Sequence, residues 1–181
     1  MSGISIRIDP AGFEPFMRQV SRIEAAIPRA IAQGLNEGGD KVRTQVMRTL
    51  WKQTGLTRYA SVTSRVRTAR AHEGGLSYQI VVPGKPPIPI TEWPVTVRTG
   101  PGGGVDAKTW GVDHLFKRSF QEAGGALRAR TTSKRFPIRK LYGPSLAKEL
   151  VSERGTVPTV FIATASAEVP RAILKRLAKV M

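Results

Sequence analysis

Residues 135–150, RFPIRKLYGPSLAKEL, decide how the second half of the chain is arranged. Apolar and basic residues mix from Arg135 to Leu141 in the manner of a β-strand, which we predict to be the last strand of the chain. Tyr142-Gly143-Pro144 breaks that pattern, and residues 145–152 have the spacing of a short helix. The stretch contains no nucleophile, general base or metal ligand in a catalytic arrangement. It therefore predicts a structural or binding element.

Helical spacing dominates the N-terminal part of the chain. Residues 4–8 alternate as a strand, and from Phe13 to Leu50 apolar residues recur at helical intervals. Gly34, Gly38 and Gly39 interrupt this stripe. Glycine lowers helix stability, so either the helix breaks at 38–39 or another backbone packs closely against it.

A run of short strands follows, and the C-terminus is again helical. The pattern predicts a hairpin through His72-Glu73-Gly74-Gly75, joining strands at 64–70 and 76–82. Further strands are predicted at residues 95–98, 109–112, 115–120, 127–130 and 135–141. The C-terminal helical segment, 156–181, has a predicted kink or break at Pro170. The sequence thus predicts an α+β fold in a single domain, 1–181, with N-terminal helices packed on a mostly antiparallel β-sheet and followed by C-terminal helices.

Residues 83–105 form the longest irregular stretch. Its prolines exclude a central strand, and its length exceeds the usual connection of about 4–6 residues. We predict a Pro/Gly-rich interaction loop with little core content. Its candidate contact residues are Pro86, Pro87, Pro89, Trp93 and Gly102.

The charge balance points to an anionic partner. The 181 residues include 29 lysines and arginines against 13 acidic residues, which gives a formal net charge of +16. Such an excess predicts a polyanion or an acidic protein surface as partner, with any nucleic acid contacted through its phosphates without sequence specificity. The candidate partner-facing residues are Arg65, Arg67, Arg70, Arg128, Arg130, Arg135, Arg139 and Lys140.

Enzymatic and membrane roles receive little support from the sequence. The chain has no cysteine, no P-loop and few carboxylates, so we expect no enzyme activity, no metal and no cofactor. A hydrolase using Asp106, Asp113 and His114 is the enzymatic alternative. Neither a long apolar run nor a signal peptide is evident, so we expect a soluble protein that is made in a cytoplasm and does not enter a membrane.

Four motifs carry a resemblance to a known family. They are Lys52-Gln53-Thr54-Gly55-Leu56, Val105-Asp106-Ala107-Lys108-Thr109-Trp110-Gly111, Lys117-Arg118-Ser119-Phe120 and Pro137-Ile138-Arg139-Lys140-Leu141-Tyr142-Gly143-Pro144-Ser145. Over most of residues 15–178 the chain resembles the minor tail protein Z family of tailed bacteriophages and prophages, also described as tail completion proteins. The last of the four motifs is the most specific.

The resemblance implies a structural virion protein made in the host bacterial cytoplasm. It implies a place in the neck of a siphophage, at the head-proximal end of the tail, in a homo-oligomeric ring around the DNA channel, with six subunits expected. The implied partners are tail terminator, tail tube and head-tail connector proteins, together with the packaged double-stranded DNA. The alternative is a free basic protein that binds nucleic-acid phosphates without sequence specificity.

The turn after the last strand has two explanations. In the first, the turn fixes the position of the following helix while the strand presents arginines to DNA or to an acidic ring. Gly143 would then have a positive φ, and Pro144 would be the first residue of the helix. Alternatively, Tyr142 is a core residue and the turn only stabilises the fold.

Overall fold

The structure is a computed structural model that describes residues 2–7, 26–84, 86–100 and 103–180. The helices are α1 (Ala26–Thr54), α2 (Tyr59–Thr63), α3 (Leu146–Val151) and α4 (Val157–Leu177), with a 3-10 turn at Ile90–Glu92. The strands are β1 (Ser2–Arg7), β2 (Arg67–Ala69), β3 (Ser77–Val82), β4 (Val95–Arg98), β5 (Gly104–Thr109), β6 (Val112–Lys117), β7 (Ser119–Gln121), β8 (Leu127–Arg130) and β9 (Ile138–Lys140). The start of the predicted N-terminal helical stripe, at Phe13, Phe16, Met17 and Val20, lies outside the described residues.

Helix α1 runs unbroken past its three glycines because α4 packs against it. A Cβ atom on Gly34 would lie 2.6 Å from the Cα of Ile173, and one on Gly38 would lie 2.8 Å from the Cα of Val169. Both distances are too short for two carbon atoms that are not bonded to each other. The glycines therefore let the two helix backbones approach, which confirms close packing and rules out the predicted alternative of a break at 38–39.

Helix α4 also continues through its proline. It extends from Val157 to Leu177 with Pro170 inside it, so Pro170 does not break the helix. Its apolar face lies in the core, where Val169, Ile173 and Leu177 are all buried.

The strands form three antiparallel sheets of three strands each within the described part of the chain. Their orders are β1-β3-β2, β4-β5-β6 and β7-β8-β9. The α+β class is confirmed. The predicted arrangement of helices on one sheet is matched only loosely, because α1 makes its largest contact with α4 rather than with a sheet. The first sheet meets α1 where the Tyr78 ring packs on Gly39 and the Tyr78 hydroxyl donates a hydrogen bond of 2.8 Å to Asp40 Oδ1.

Three strand predictions need correction. The predicted strand 135–141 is shorter, because Arg135, Phe136 and Pro137 belong to the preceding loop and β9 is Ile138–Lys140. Residues 109–112 are not a continuous strand, because Trp110 and Gly111 have φ values of 51° and 74° and form the two-residue turn between β5 and β6. The predicted strand 115–120 is divided at Arg118, which has a φ of 59° and separates β6 from β7. The predicted hairpin through residues 72–75 is confirmed, since β2 pairs antiparallel with β3.

Helix α4 is long and apolar enough to cross a membrane by length and composition, with a mean hydropathy of 1.2 over an 18-residue window. A core helix meets the same criterion. The packing of Val169 and Ile173 on α1 accounts for much of the apolar character of its C-terminal half.

Candidate nucleic-acid and assembly interface

A strongly basic surface of the fold is the sheet β7-β8-β9 with the loop of residues 131–137, which we name the basic sheet. Residues 117–140 contain eight basic residues and only one acidic residue, Glu122. Strand alternation turns Leu127 and Ala129 of β8 into the core, where both are buried. Arg128 and Arg130 therefore share the opposite, outward face.

The register places further side chains on that outward face. Arg128 lies opposite Lys140 of β9 and opposite Phe120 of β7. The guanidinium of Arg130 lies 5.0 Å from the centre of the Phe120 ring, which is cation–π distance. Arg128 is partly neutralised, because its Nε lies 2.7 Å from Glu122 Oε1. Arg130 and Lys140 are exposed and have no ion-pair partner among the described residues.

Two other predicted cations of the basic sheet point elsewhere. Arg139 pairs with Ala129 and so belongs to the inward face, but it stays exposed because β9 is an edge strand. Arg135 lies in the loop, with its guanidinium 5.7 Å from the centre of the Phe136 ring. Phe136 is 63% exposed, which is unusual for an aromatic side chain. The aromatic partners Phe120 and Phe136 were not predicted from the sequence, although the adjacency of Arg135 and Phe136 was a visible signal.

The three remaining predicted cations lie beside β2 in the first sheet. Arg65 donates a hydrogen bond of 2.9 Å to the carbonyl oxygen of Ser61, and Arg70 lies 2.7 Å from Asp40 Oδ2. Arg67 is exposed on β2. The eight predicted residues therefore do not form one surface. Five belong to the basic sheet, and two of the other three are held by contacts within the chain.

The structure corrects two explanations of the turn after β9. Gly143 is not among the glycines with positive φ; a Cβ atom there would lie 2.2 Å from Cζ3 of Trp93. Glycine is required because the indole ring occupies that space. Pro144 precedes the N-cap residue Ser145, so it is not the first helical residue. Tyr142 is 46% exposed, so the alternative that it is a core residue is also wrong.

The predicted interaction loop contributes to the core, contrary to expectation. Trp93 is only 1% exposed, and its indole Nε1 donates a hydrogen bond of 2.8 Å to the carbonyl oxygen of Thr54. Ile88 and Ile90 are also buried. Burial of an aromatic side chain of this size contributes more to the stability of the fold than its exposure in a surface loop would. Pro86 and Pro87 are exposed, Pro89 is half-buried, and Gly102 lies outside the described residues.

Two acidic residues join the two long helices. Glu37 of α1 lies 2.7 Å from Lys175 Nζ and 2.8 Å from an Arg176 nitrogen of α4. Glu168 of α4 lies 2.6 Å from Lys41 Nζ of α1. Hydrogen bonds from Lys175 and then Arg176 lower the pKa of Glu37, and the hydrogen bond from Lys41 lowers the pKa of Glu168. The helix layer thus neutralises part of its own charge, whereas Arg128 is the only cation of the basic sheet with an ion-pair partner among the described residues.

These two carboxylates predict how stability depends on pH. A carboxyl group whose pKa is lowered by folding contributes stability above its ordinary pKa of 4.5, and that contribution is lost as the pH falls through the lowered value. We expect the melting temperature to fall as the pH decreases below about 4.5. Glu37→Gln should melt lower at pH 7 and decline less steeply in acid, as measured by circular dichroism.

The matched control for this measurement is Glu153→Gln, which removes an exposed carboxylate that has no ion-pair partner in the described ranges. It should keep the pH profile of the unmodified chain. If Glu37→Gln also keeps that profile, the helix-joining ion pairs do not contribute to stability.

The three residues of the hydrolase alternative do not converge. Asp106 and Asp113 lie on one face of the sheet β4-β5-β6, where Asp106 forms an ion pair with Arg98. His114 pairs with Ala107 on the opposite face, and its ring packs edge-on against Trp110. Across the described ranges, no group of three or more His, Cys, Asp or Glu side chains is placed to hold a metal ion.

Comparison of the chain with protein-family models, with curated proteins and with solved structures finds no match in any of the three.

Proposed function

We propose that this chain is a structural protein of a tailed-phage virion, a tail completion protein that acts in a ring at the head-proximal end of the tail. The motif resemblance supplies the role. The observation that carries the proposal is the basic sheet, where Arg130, Arg135 and Lys140 are exposed and have no ion-pair partner in the described part of the chain. A surface of this kind suits a partner with regularly spaced negative charges.

The geometry favours weak contacts with DNA rather than tight binding. Arg128 is already paired with Glu122, and Arg65 and Arg70 are held by other residues of the chain. Five of the eight predicted cations therefore remain for phosphates on each subunit: Arg67, Arg130, Arg135, Arg139 and Lys140. DNA that passes through a channel must slide, and each fixed phosphate contact opposes that movement. The remaining cations of the basic sheet would also fit acidic surfaces of neighbouring neck proteins.

The neck role is tested on particles assembled with and without the protein. In its absence we expect negative-stain images to show filled heads and finished tails that are not joined, and joining should be restored when the purified chain is added. A cryo-EM map of the assembled neck should place the basic sheet toward the channel or toward an adjacent ring. Normal joining without the protein would overturn the proposal. Tight DNA binding by the isolated monomer would then support the free nucleic-acid-binding alternative.

The contribution of the basic sheet to DNA contact gives a separate prediction. The logarithm of the affinity for duplex DNA should fall with the logarithm of salt concentration by about 0.9 per phosphate neutralised. Replacing Arg130, Arg135 and Lys140 with glutamine should therefore reduce that slope by roughly 2 to 3, whatever the DNA sequence. Fluorescence anisotropy over a salt series measures it.

The control removes the same charge from exposed positions elsewhere, with Arg48, Arg171 and Lys179 replaced by glutamine. It should leave the slope nearly unchanged. Equal slopes for the two triple variants would show that net charge, and not the basic sheet, governs DNA contact.

A further inference from the structure

Strand β6 is an edge strand with its outer side open. Five of its six residues are exposed, including Val112 and Leu115, and only Phe116 is half-buried. Its partner on one side is β5, and no strand in the described ranges pairs with its other side. An edge of this length, with apolar residues on it, is a template for pairing with another strand.

The hydrogen-bond pattern identifies which backbone groups face the open side. Thr109 and Val112 flank the two-residue turn, and such a closing pair exchanges both of its backbone hydrogen bonds. In agreement, the N–H of Lys108 donates to Pro94 on the other side of β5, at 3.0 Å. The direction of the backbone N–H and C=O groups alternates from one residue to the next along a strand. Those of Val112, His114 and Phe116 therefore point toward β5. The N–H and C=O groups of Asp113, Leu115 and Lys117 point to the open edge.

The side chains of those same three residues form a self-complementary set. Asp113, Leu115 and Lys117 share one face of the sheet, with opposite charges two residues to either side of a leucine. Both charged side chains belong to exposed residues, and neither is in an ion pair within the described part of the chain. Leu115 is 44% exposed.

We propose that β6 pairs antiparallel with β6 of a second copy of this chain, about a two-fold axis at Leu115. Leu115 then lies opposite Leu115 of the second copy, and each Asp113 lies opposite a Lys117. The two three-stranded sheets become one sheet of six strands. Two cross-strand ion pairs flank an apolar pair on one face, and His114 lies opposite Phe116 on the other.

Other registers fit less well. Only odd-numbered residues of β6 direct their backbone groups to the open edge. In any pairing of two copies, Asp113, Leu115 and Lys117 must therefore lie opposite odd-numbered residues of the second copy. Moving the axis to His114 would place Asp113 opposite Leu115 and Lys117 opposite Gly111. Moving it to Phe116 would place Lys117 opposite Leu115 and shorten the overlap. Only the register centred on Leu115 places both charged residues opposite a residue of opposite charge.

This inference does not rest on the proposed function, because it concerns the free chain. A closed ring joins two different surfaces of each subunit, whereas a two-fold contact uses one edge twice. We also expect one pair of strands to bury less than the roughly 1,200 Å² of a stable complex. We therefore expect a reversible dimer of the free chain, whose edge is protected until another partner replaces the second copy.

Charge reversal tests whether β6 is the dimer contact and whether the two copies are related by a two-fold axis at Leu115. In a dimer of the Asp113→Lys chain, two lysines face each other at both charged positions. In a dimer of the Lys117→Asp chain, two aspartates face each other at both positions. Each substitution should weaken self-association by about tenfold or more in sedimentation velocity over a concentration series. An equal mixture of the two variants should form a heterodimer, because every opposed pair is then attractive. The chain carrying both changes should dimerise like the original.

A disulfide test keeps the proposal falsifiable if a charge variant folds poorly. The chain has no cysteine, so Leu115→Cys can form a disulfide only with its copy in a second chain. Opposed residues in a hydrogen-bonded pair have Cα atoms about 5.5 Å apart, within the range for a disulfide. The control, Val112→Cys, is more exposed, at 57% against 44%. In the proposed dimer its two copies lie about 20 Å apart.

Rapid oxidation of the Leu115→Cys chain to a dimer, with little from Val112→Cys, supports the pairing. Faster cross-linking at residue 112 than at residue 115 overturns it. A monomer at every concentration also overturns it, as does a failure of the mixed charge variants to associate more strongly than either alone.

Discussion

Gly143→Ala should lower the free energy of unfolding by about 1–3 kcal/mol, as expected for an overpacked site. For a chain of this size that is a fall in melting temperature of about 2–12 °C. The added methyl carbon would lie 2.2 Å from Cζ3 and 2.5 Å from Cη2 of the Trp93 ring. The substitution thus forces one of two packed groups to move.

Neither group can move without losing a hydrogen bond. The Gly143 N–H donates to Ile88 O at 2.9 Å, and the Trp93 indole Nε1 donates to Thr54 O at 2.8 Å. Gly124→Ala is the control, because a Cβ atom there has nothing within 4 Å. It should be neutral or slightly stabilising. Equal melting temperatures for the two variants would show that the indole ring does not require glycine at 143.

Gly34→Ala is the second substitution with a large expected effect. Alanine favours a helix over glycine by about 1 kcal/mol, so an isolated α1 would be more stable. In the folded chain the new Cβ would lie 2.6 Å from Ile173 Cα and 2.9 Å from Ile173 N. Because these are backbone atoms, α4 must shift as a body. We expect a net loss of about 1–3 kcal/mol, measured by urea unfolding.

Two variants separate this clash from other causes. Gln33→Ala changes the adjacent, exposed position and should alter stability by about 0.5 kcal/mol at most. Ile173→Ala should not rescue Gly34→Ala, since truncating the side chain leaves the Cα in place. Full rescue would show that the close approach is made by the side chain of Ile173 and not by the backbone of α4.

The sequence predicted those elements whose structure depends on residues close together in the chain. The strand at residues 127–130 and the hairpin through residues 72–75 depend on neighbours in sequence, and both were identified correctly. The role of Gly143 depends on Trp93, which lies 50 residues earlier in the chain. Nothing near Gly143 in the sequence distinguishes a glycine that makes room for a ring from one that adopts positive φ.

The candidate surface shows the same division. Arg128 and Arg130 were both predicted to face a partner, and strand alternation places them on one outward face of the basic sheet. Which cations are neutralised was not predictable, because Arg70 meets Asp40 and Lys175 meets Glu37 across long sequence separations. Those pairings follow from the packing of α1 against the first sheet and against α4.

The contact between α1 and α4 also governs when the chain can fold as it is synthesised. Thr54 and Leu177 are separated by 123 residues, which a ribosome adds in roughly 6–25 s. During that time the apolar stripe of α1, with Leu35, Val42 and Val46, has no α4 to cover it. Strand β1 likewise waits for β3, its partner in the first sheet. A nascent chain of this protein therefore exposes the apolar stripe of its longest helix until α4 is made, and we expect chaperones that bind emerging hydrophobic segments to recognise it.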